Sequence, residues 1–417
     1  MQTHLSAEFV DTDEGKEAAA ILRKCVHCGF CNATCPTYQL LGDELDGPRG
    51  RIYLIKQMLE GSEVTRSTQL HLDRCLTCLN CQTTCPSGVE YGHLVDIGRK
   101  LVEARVPRPP AEKAVRWSLR EGLTSAWFAP ALKLGRALRP VLPRILKDKI
   151  PAERIKQVSE AAGCESDQPR GAESRKVLIL QGCVQPAMLP DIDRATARVL
   201  DAAGIETIHA AGTGCCGALR THLSDSQGGL QDMRRNIDAW TPLLAGGEVE
   251  AIISSASACA LAIKEYGHAL AHDAAYAERA ARISALARDL SELLPVLVPA
   301  LKHRLRAAAA QRLAFHAPCT LQHGQKLRGG VETHLRELGF NVAGACGESH
   351  FCCGSAGTYS VLQPQLARQL RDRKLNNLAE LEPDCILSAN VGCIQHLQSG
   401  TSVKVMHWIE AIDQALN

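Results

Sequence analysis

Two short cysteine runs constrain this chain more than any other feature. Residues 25–36 read CVHCGFCNATCP and residues 75–86 read CLTCLNCQTTCP. Both follow C-x2-C-x2-C-x3-C-P, the spacing that wraps three thiolates round one face of a [4Fe-4S] cube while the fourth cysteine ligates the other cluster. On that rule Cys25, Cys28, Cys31 and Cys85 hold one cluster, and Cys75, Cys78, Cys81 and Cys35 hold the second. The proline after each fourth cysteine turns the chain away. Zinc is the competing reading, but it prefers four tetrahedral thiolates from paired knuckles rather than interleaved triplets with a proline stop.

The rest of the composition fits metal or redox chemistry. The chain has 417 residues, 45% of them hydrophobic, enough for two or three domains with buried cores. Lys and Arg total 47 against 45 Asp and Glu, so net charge gives no general attraction to nucleic acid. No apolar run reaches the length of a membrane span, and the acidic start MQTHLSAEFVDTDEGKEAAA lacks the basic and apolar regions of a signal peptide. The expected location is a reducing cytoplasm, where 19 cysteines point to metal ligation rather than a disulfide framework.

Between the two runs, DGPRGRIYLIKQMLEG turns at Gly47-Pro48 and then places Ile52, Ile55, Met58 and Leu59 at helical spacing. Residues 1–104 are therefore expected to form an α-helical ferredoxin-like domain. Arg49 and Arg51 face two readings: cations beside anionic clusters, or a solvated helix start. Residues 105–174 read as a basic helical connector. From Arg105 to Lys156 there are 13 Lys or Arg against 4 Asp or Glu, with Trp117, Trp127 and Phe128 among them. Such a segment suits an anionic membrane surface, a partner, or packing between domains with a solvated basic face. ESDQPRGAESR at 165–175 marks a linker.

The remainder is duplicated. RKVLILQGC reads as a strand ending at Cys183, followed by the helix DIDRATARVLDAAG, the strand IETIHA and GCCG at 214–217. RLAFHAPC ends at Cys319, followed by the helix VETHLRELG, the strand FNVAG and FCCG at 351–354. Cys183 to Cys215 is 32 residues and Cys319 to Cys352 is 33. A third strand, VEAIISSA or PDCILSA, then leads to Cys259 or Cys393. Both copies are expected to close with helices, ISALARDLSELL and VMHWIEAIDQAL. The units are 175–298 and 311–417, and the fold class is α+β multidomain: a helical ferredoxin domain followed by two α/β cysteine-rich repeats. Each copy brings four thiols to the C-terminal ends of strands: Cys183, Cys215, Cys216 and Cys259, then Cys319, Cys352, Cys353 and Cys393. A disulfide within a vicinal pair is strained and disfavoured by the compartment. Nothing pairs a base with Cys353, so no catalytic residue is assigned. His316 and His350 read as structural, and Cys164, Cys346 and Cys385 as incidental, with Cys385 a buried strand residue.

This layout resembles the cysteine-rich iron-sulfur subunits that serve flavin dehydrogenases, among them heterodisulfide reductases and the subunits of glycerol-3-phosphate and lactate systems. Within them it is similar to the glycolate oxidase iron-sulfur subunits, through CVHCGFCNATCPTYQLLGDELDGPRGRIYLIKQ, HLDRCLTCLNCQTTCPSGV, RRNIDAW, AFHAPCTLQHGQKL and CCGSAGTYSVLQPQLARQLRDRK. The resemblance implies two [4Fe-4S] clusters here and FAD only on a partner subunit. It also implies oxidation of glycolate to glyoxylate on that partner and electron passage toward a quinone, with peripheral association at the cytoplasmic face of the inner membrane. Full repeats of this type end in C-x2-C, whereas the first cysteine of that pair is Ala256 in copy one and Asn390 in copy two. The remaining thiols suit a further iron-sulfur cluster, a zinc site or an empty one. The alternatives are the equivalent subunit of a lactate or glycerol-3-phosphate dehydrogenase, and a zinc-stabilised scaffold.

Overall fold

The computed structural model describes residues 1–139, 175–306 and 310–416. Expectations for the rest of the basic connector, most of the 165–175 linker and Cys164 fall outside these residues.

The N-terminal region is helical, as the spacing between the cysteine runs requires. α1 (Asp13–Lys24) opens on a Thr12 side chain that accepts from Gly15 N, with Asp13 and Glu14 in its first turn and Arg23 and Lys24 in its last. Both ends thus complement the helix dipole. Short helices α2 (Phe30–Ala33) and α3 (Pro36–Leu41) follow, then α4 (Pro48–Leu59), with Pro48 in its first turn, and α5 (Arg66–Asp73). α6 (Asn80–Thr84) and α7 (Tyr91–Arg105) complete the layer. Ile21, Leu22, Ile55, Met58, Leu59, Leu72, Leu94 and Val95 form its core.

α8 (Pro110–Thr124) and α9 (Phe128–Leu138) bury no residue of their own. They are nonetheless tied at both ends. Arg108 and Arg116 pair with Asp73, Glu121 pairs with Arg220, and Arg136 donates to Met188 O at 3.0 Å. The described part of the connector therefore bridges the helical region to the first repeat.

Each repeat is a four-stranded, all-parallel sheet. In copy one the strands are β1 (Arg175–Ile179), β2 (Ile205–Ile208), β3 (Val249–Ser254) and β4 (Ala287–Asp289), in spatial order β2-β1-β3-β4. In copy two β5 (Leu313–Phe315), β6 (Val342–Gly344), β7 (Cys385–Ser388) and β8 (Lys404–His407) repeat that order as β6-β5-β7-β8. The fourth strand of each sheet corrects the expectation of purely helical closing segments. Strands of three or four residues, here Ala-Arg-Asp and Lys-Val-Met-His, are too short to show a period of two and merge into the pattern of the neighbouring helices. Asp289 and His407 end these strands and cap the helical turns that follow, each with a glutamate three residues on returning to the cap N–H.

The copies share one core, in which Ile192, Val199 and Ile253 of the first meet Phe315, Leu387 and Trp408 of the second. Arg198 grips Asp413 through two hydrogen bonds, Ser257 N donates to Ala389 O at 3.0 Å, and His407 Nε2 lies 2.9 Å from Ser255 O.

Candidate metal centres

The two cysteine runs fold into matching loops. His27 and Gly29 in the first, and Thr77 and Leu79 in the second, adopt left-handed backbone at equivalent positions, with φ of 60° and 85°, then 51° and 59°. Non-glycine residues held there cost about 1–3 kcal/mol each, a strain typical of ligand-clamping turns. α2 and α6 start directly afterwards and carry Cys31 and Cys81; α3 starts at the proline after Cys35.

One cavity is lined by Cys25, Cys28, Cys31 and Cys85, with Cys81 and Arg49 on its wall. A second is lined by Cys35, Cys75, Cys78 and Cys81, with Thr37, Arg51 and Tyr91. The first cavity therefore takes three thiols from the first run and Cys85, with Cys81 behind it, from the second, and the second takes three from the second run and Cys35 from the first. Four soft donors round a space of this kind fit the all-thiolate ligation of a [4Fe-4S] cluster.

Arg51 is 1% exposed, which corrects the solvated reading for this residue. It donates to His71 O at 2.7 Å and to Thr37 Oγ1 at 3.1 Å, faces Asp46 at 3.5 Å, and lies 4.0 Å from Cys35 Sγ. Burial alone would lower its pKa, but Cys75, Tyr91, Cys35 and Asp46 outweigh burial and raise it. Burial pushes the Cys75 thiol up, yet Arg51 and Arg99 more than offset this and leave it below the ordinary thiol value. Burial raises Cys31 to about 11 and lifts Cys78 and Cys81 well above the ordinary value. Arg49 is half-exposed and pairs with Glu44.

In the repeats, all eight thiols lie beyond the C-terminal ends of strands. They come from the loops after β1 and β5, the loops after β2 and β6, and the helices Ser257–Lys264 and Val391–Gln398 that follow β3 and β7. The strand order reverses between β1 and β3, and between β5 and β7, where α/β sheets open a ligand crevice. The glycine after each vicinal pair explains the CCG signature. Gly217 and Gly354 have φ of 89° and 87°, and a Cβ would meet Gly229 O at 2.7 Å and Ala367 O at 2.5 Å. Their N–H groups lie 3.4 Å from Cys215 Sγ and Cys352 Sγ.

The thiols within each copy interact in a chain, Cys183–Cys215–Cys216–Cys259 and Cys319–Cys352–Cys353–Cys393. In copy one, hydrogen bonds from Cys183 and Cys216, aided by Gly217 and Leu219 N–H, hold the Cys215 thiol below the ordinary value. In copy two Cys319, Cys352 and Cys353 all lie well above the ordinary value.

Copy two also touches the second ferredoxin cavity. Leu76 packs with Cys319, Cys352, Tyr359 and Leu370, and Cys78 lies against the same cluster. Asn80 Nδ2 donates to Thr34 O at 3.0 Å and His350 O at 3.2 Å, and Tyr359 OH donates to Arg74 O at 3.2 Å. Sequence reasoning missed Asn80, Thr37, Arg99 and Lys374. Lys374 is buried and donates to Glu348 O at 2.7 Å. A polar residue inside a ligand loop or on a helix carries no spacing signal of its own, so only tertiary packing identifies these four. Cys385 is a buried strand residue, as expected, and Cys346 is exposed.

Comparison with known proteins agrees with this geometry. The sequence model of the 4Fe-4S dicluster domain matches residues 21–89, and that of the cysteine-rich domain matches residues 177–264 and 313–398. The glycolate oxidase iron-sulfur subunit of Escherichia coli (strain K12) is 52% identical over 420 residues, covering 100% of this chain and 99% of that protein. The chain belongs to the glycolate oxidase iron-sulfur subunit family. A probable glycolate oxidase iron-sulfur subunit of Bacillus subtilis is 29% identical across 93% of this chain and 90% of its own length. Lactate utilization protein A of Bacillus licheniformis is 26% identical, with 57% of this chain and 99% of that protein covered. As a member of the glycolate oxidase iron-sulfur subunit family, the chain is an electron-transfer protein with iron-sulfur chemistry.

Proposed function

We propose that the chain serves a heteromeric complex that oxidises glycolate to glyoxylate, carrying electrons from FAD on a partner subunit toward a membrane quinone. The interleaving of the two thiol-lined cavities carries this reading. Cys25, Cys28, Cys31 and Cys85 would hold one [4Fe-4S] cluster, and Cys75, Cys78, Cys81 and Cys35 the other. Oxidation of a 2-hydroxy acid releases two electrons and two protons; the partner flavin takes both electrons, and iron-sulfur clusters accept them one at a time. The chain's own residues set the route. Val26 and Phe30 are exposed beside Cys28, giving the first cavity an apolar rim suited to docking the flavin subunit. The second cavity, with Arg51 and Arg99 favouring negative charge beside it, lies against the thiols of copy two. The repeats would hold a further iron-sulfur cluster or zinc.

The division into 1–104, 105–174, 175–298 and 311–417 belongs to the same proposal, as does a cytoplasmic location at the inner membrane face. No described helix is long and apolar enough to cross a membrane. Trp117, Trp127 and Leu134 on the basic helices α8 and α9 are exposed and suit an anionic lipid surface. Lactate as the donor has weaker support, since the relatives named for lactate utilization match 57% of this chain.

The test is anaerobic reduction by glycolate in the presence of the flavin subunit, read by EPR. Reduced [4Fe-4S] signals that Cys28→Ser diminishes are expected. Absence of any cluster after anaerobic reconstitution would sink the proposal.

A further inference from the structure

The two repeats are not chemically equivalent. Leu180 N donates to Ile253 O in copy one, and His316 N donates to Leu387 O in copy two, so these residues occupy the same strand-end position three residues before the first thiol. Copy one has an apolar side chain there and copy two an imidazole. His316 is 2% exposed. Its Nδ1 lies 3.0 Å from Ser388 Oγ, whereas its Nε2 is buried with no hydrogen-bond partner among the described residues. Buried polar nitrogens left in this way are rare and costly. A ring nitrogen of His316 and the thiols of Cys353 and Cys393 all lie within 4.8 Å of one another.

A second asymmetry points the same way. Gly229 and Ala367 occupy equivalent places over the CCG glycines, and seven residues beyond them stand Asn236 and Lys374. Asn236 is neutral and holds Cys215 O and Gly214 N. Lys374 ties down the corresponding loop with a buried ammonium, which favours negative charge on Cys319, Cys353 and Cys352. Copy two thus combines four thiols, an imidazole with a free lone pair and a buried cation, while copy one has thiols alone.

We propose that His316 is a metal ligand, acting through Nε2 beside Cys353 and Cys393, and that the second repeat holds a mixed imidazole–thiolate centre. Ser388 fixes the ring through Nδ1, the second-sphere bond that metal-bound histidines usually make. The donor set suits a borderline metal, either iron within an iron-sulfur centre or zinc. His316 would supply a donor that Asn390, in place of a cysteine, does not.

The proposal rests on reading the second thiol set as a metal centre, and the experiment separates the two claims. The full-length chain, purified anaerobically, is analysed for iron and zinc as wild type, Cys353→Ser and His316→Leu, the last giving copy two the residue of copy one. Wild-type protein with ¹⁵N-labelled histidine is compared with unlabelled protein by pulsed EPR if the metal is iron, and zinc-edge X-ray absorption is used if it is zinc. His27 lines the first ferredoxin cavity, so a histidine-derived nitrogen coupling, or a nitrogen in the zinc shell, is assigned to copy two only where His316→Leu removes it. We expect that signal in wild type, and loss of the same metal in both variants, with binding weakened roughly tenfold or more by His316→Leu. Metal that Cys353→Ser removes, with no nitrogen in its shell, would overturn the role of His316 alone. A metal content unchanged by Cys353→Ser would overturn the metal reading of the repeat as well.

Discussion

Asn80, inside the second cysteine run, donates to the carbonyl of His350 at 3.2 Å, two residues before the vicinal thiols of copy two. The same amide reaches Thr34 O at 3.0 Å in the first run. One buried side chain thus ties both ferredoxin loops to the repeat. Asn80→Leu would strand Thr34 O, while His350 O keeps His323 Nε2 at 2.8 Å, at a cost of about 1–3 kcal/mol. The expected result is a lower Tm and, where copy two holds an iron-sulfur centre, slower electron passage to it from the second ferredoxin centre, with donor-side reduction unchanged in stopped-flow kinetics.

Arg51 and Arg49 separate a buried charge from a surface one. Arg51→Met leaves Asp46 with only Arg74 and His71 near it. Removing one partner of a buried ion pair costs about 3–5 kcal/mol. The variant should also lower the potential of the Cys75-side cluster, because a cation that favours the reduced state is gone. Arg49→Ala removes a partly exposed pair with Glu44, worth about 0–1 kcal/mol. Denaturant titration and redox-poised EPR check both.

Gly217→Ala and Gly354→Ala place a Cβ against a carbonyl oxygen at 2.7 Å and 2.5 Å in a left-handed turn. Each should cost about 1–3 kcal/mol or more and displace the preceding thiols. Gly42→Ala, with φ 67° but no atom within 4 Å, pays only the backbone term of about 1–2 kcal/mol. Thermal unfolding of the three variants should rank them in that order.

His93 stacks on His268 at 3.8 Å and pairs with Glu265 and Glu17, joining the helical region to copy one. The hydrogen bond that His93 Nε2 donates to Glu265 raises its pKa above the ordinary 6.5. A raised folded pKa gives stability that is full below about 6.5 and is lost as pH climbs through the folded value. Stability should therefore fall across that window in the wild type, and His93→Ala should flatten the Tm-versus-pH curve there.

Much of the site was legible because thiol spacing is set by the geometry of ligation. Runs of C-x2-C-x2-C-x3-C-P and the repeated CCG predict interleaved loops and a duplicated α/β unit without reference to the core. The short strands Ala287–Asp289 and Lys404–His407 were not legible, since three or four residues are too few to show a period of their own. Neither was the burial of Arg51, which depends on Asp46, Thr37 and His71 folding round it from three segments. His316 looks like any strand-end histidine in sequence; its significance lies in a buried, unpaired Nε2 on a ring that brings a nitrogen within 4.8 Å of the Cys353 and Cys393 thiols.

The central claim is that two interleaved four-thiol sets hold paired [4Fe-4S] clusters. Iron and labile-sulfide analysis of the anaerobically purified chain tests it most directly. The account predicts about eight of each, or more, per chain, given two four-iron clusters. Stoichiometric zinc with little iron or sulfide would contradict it.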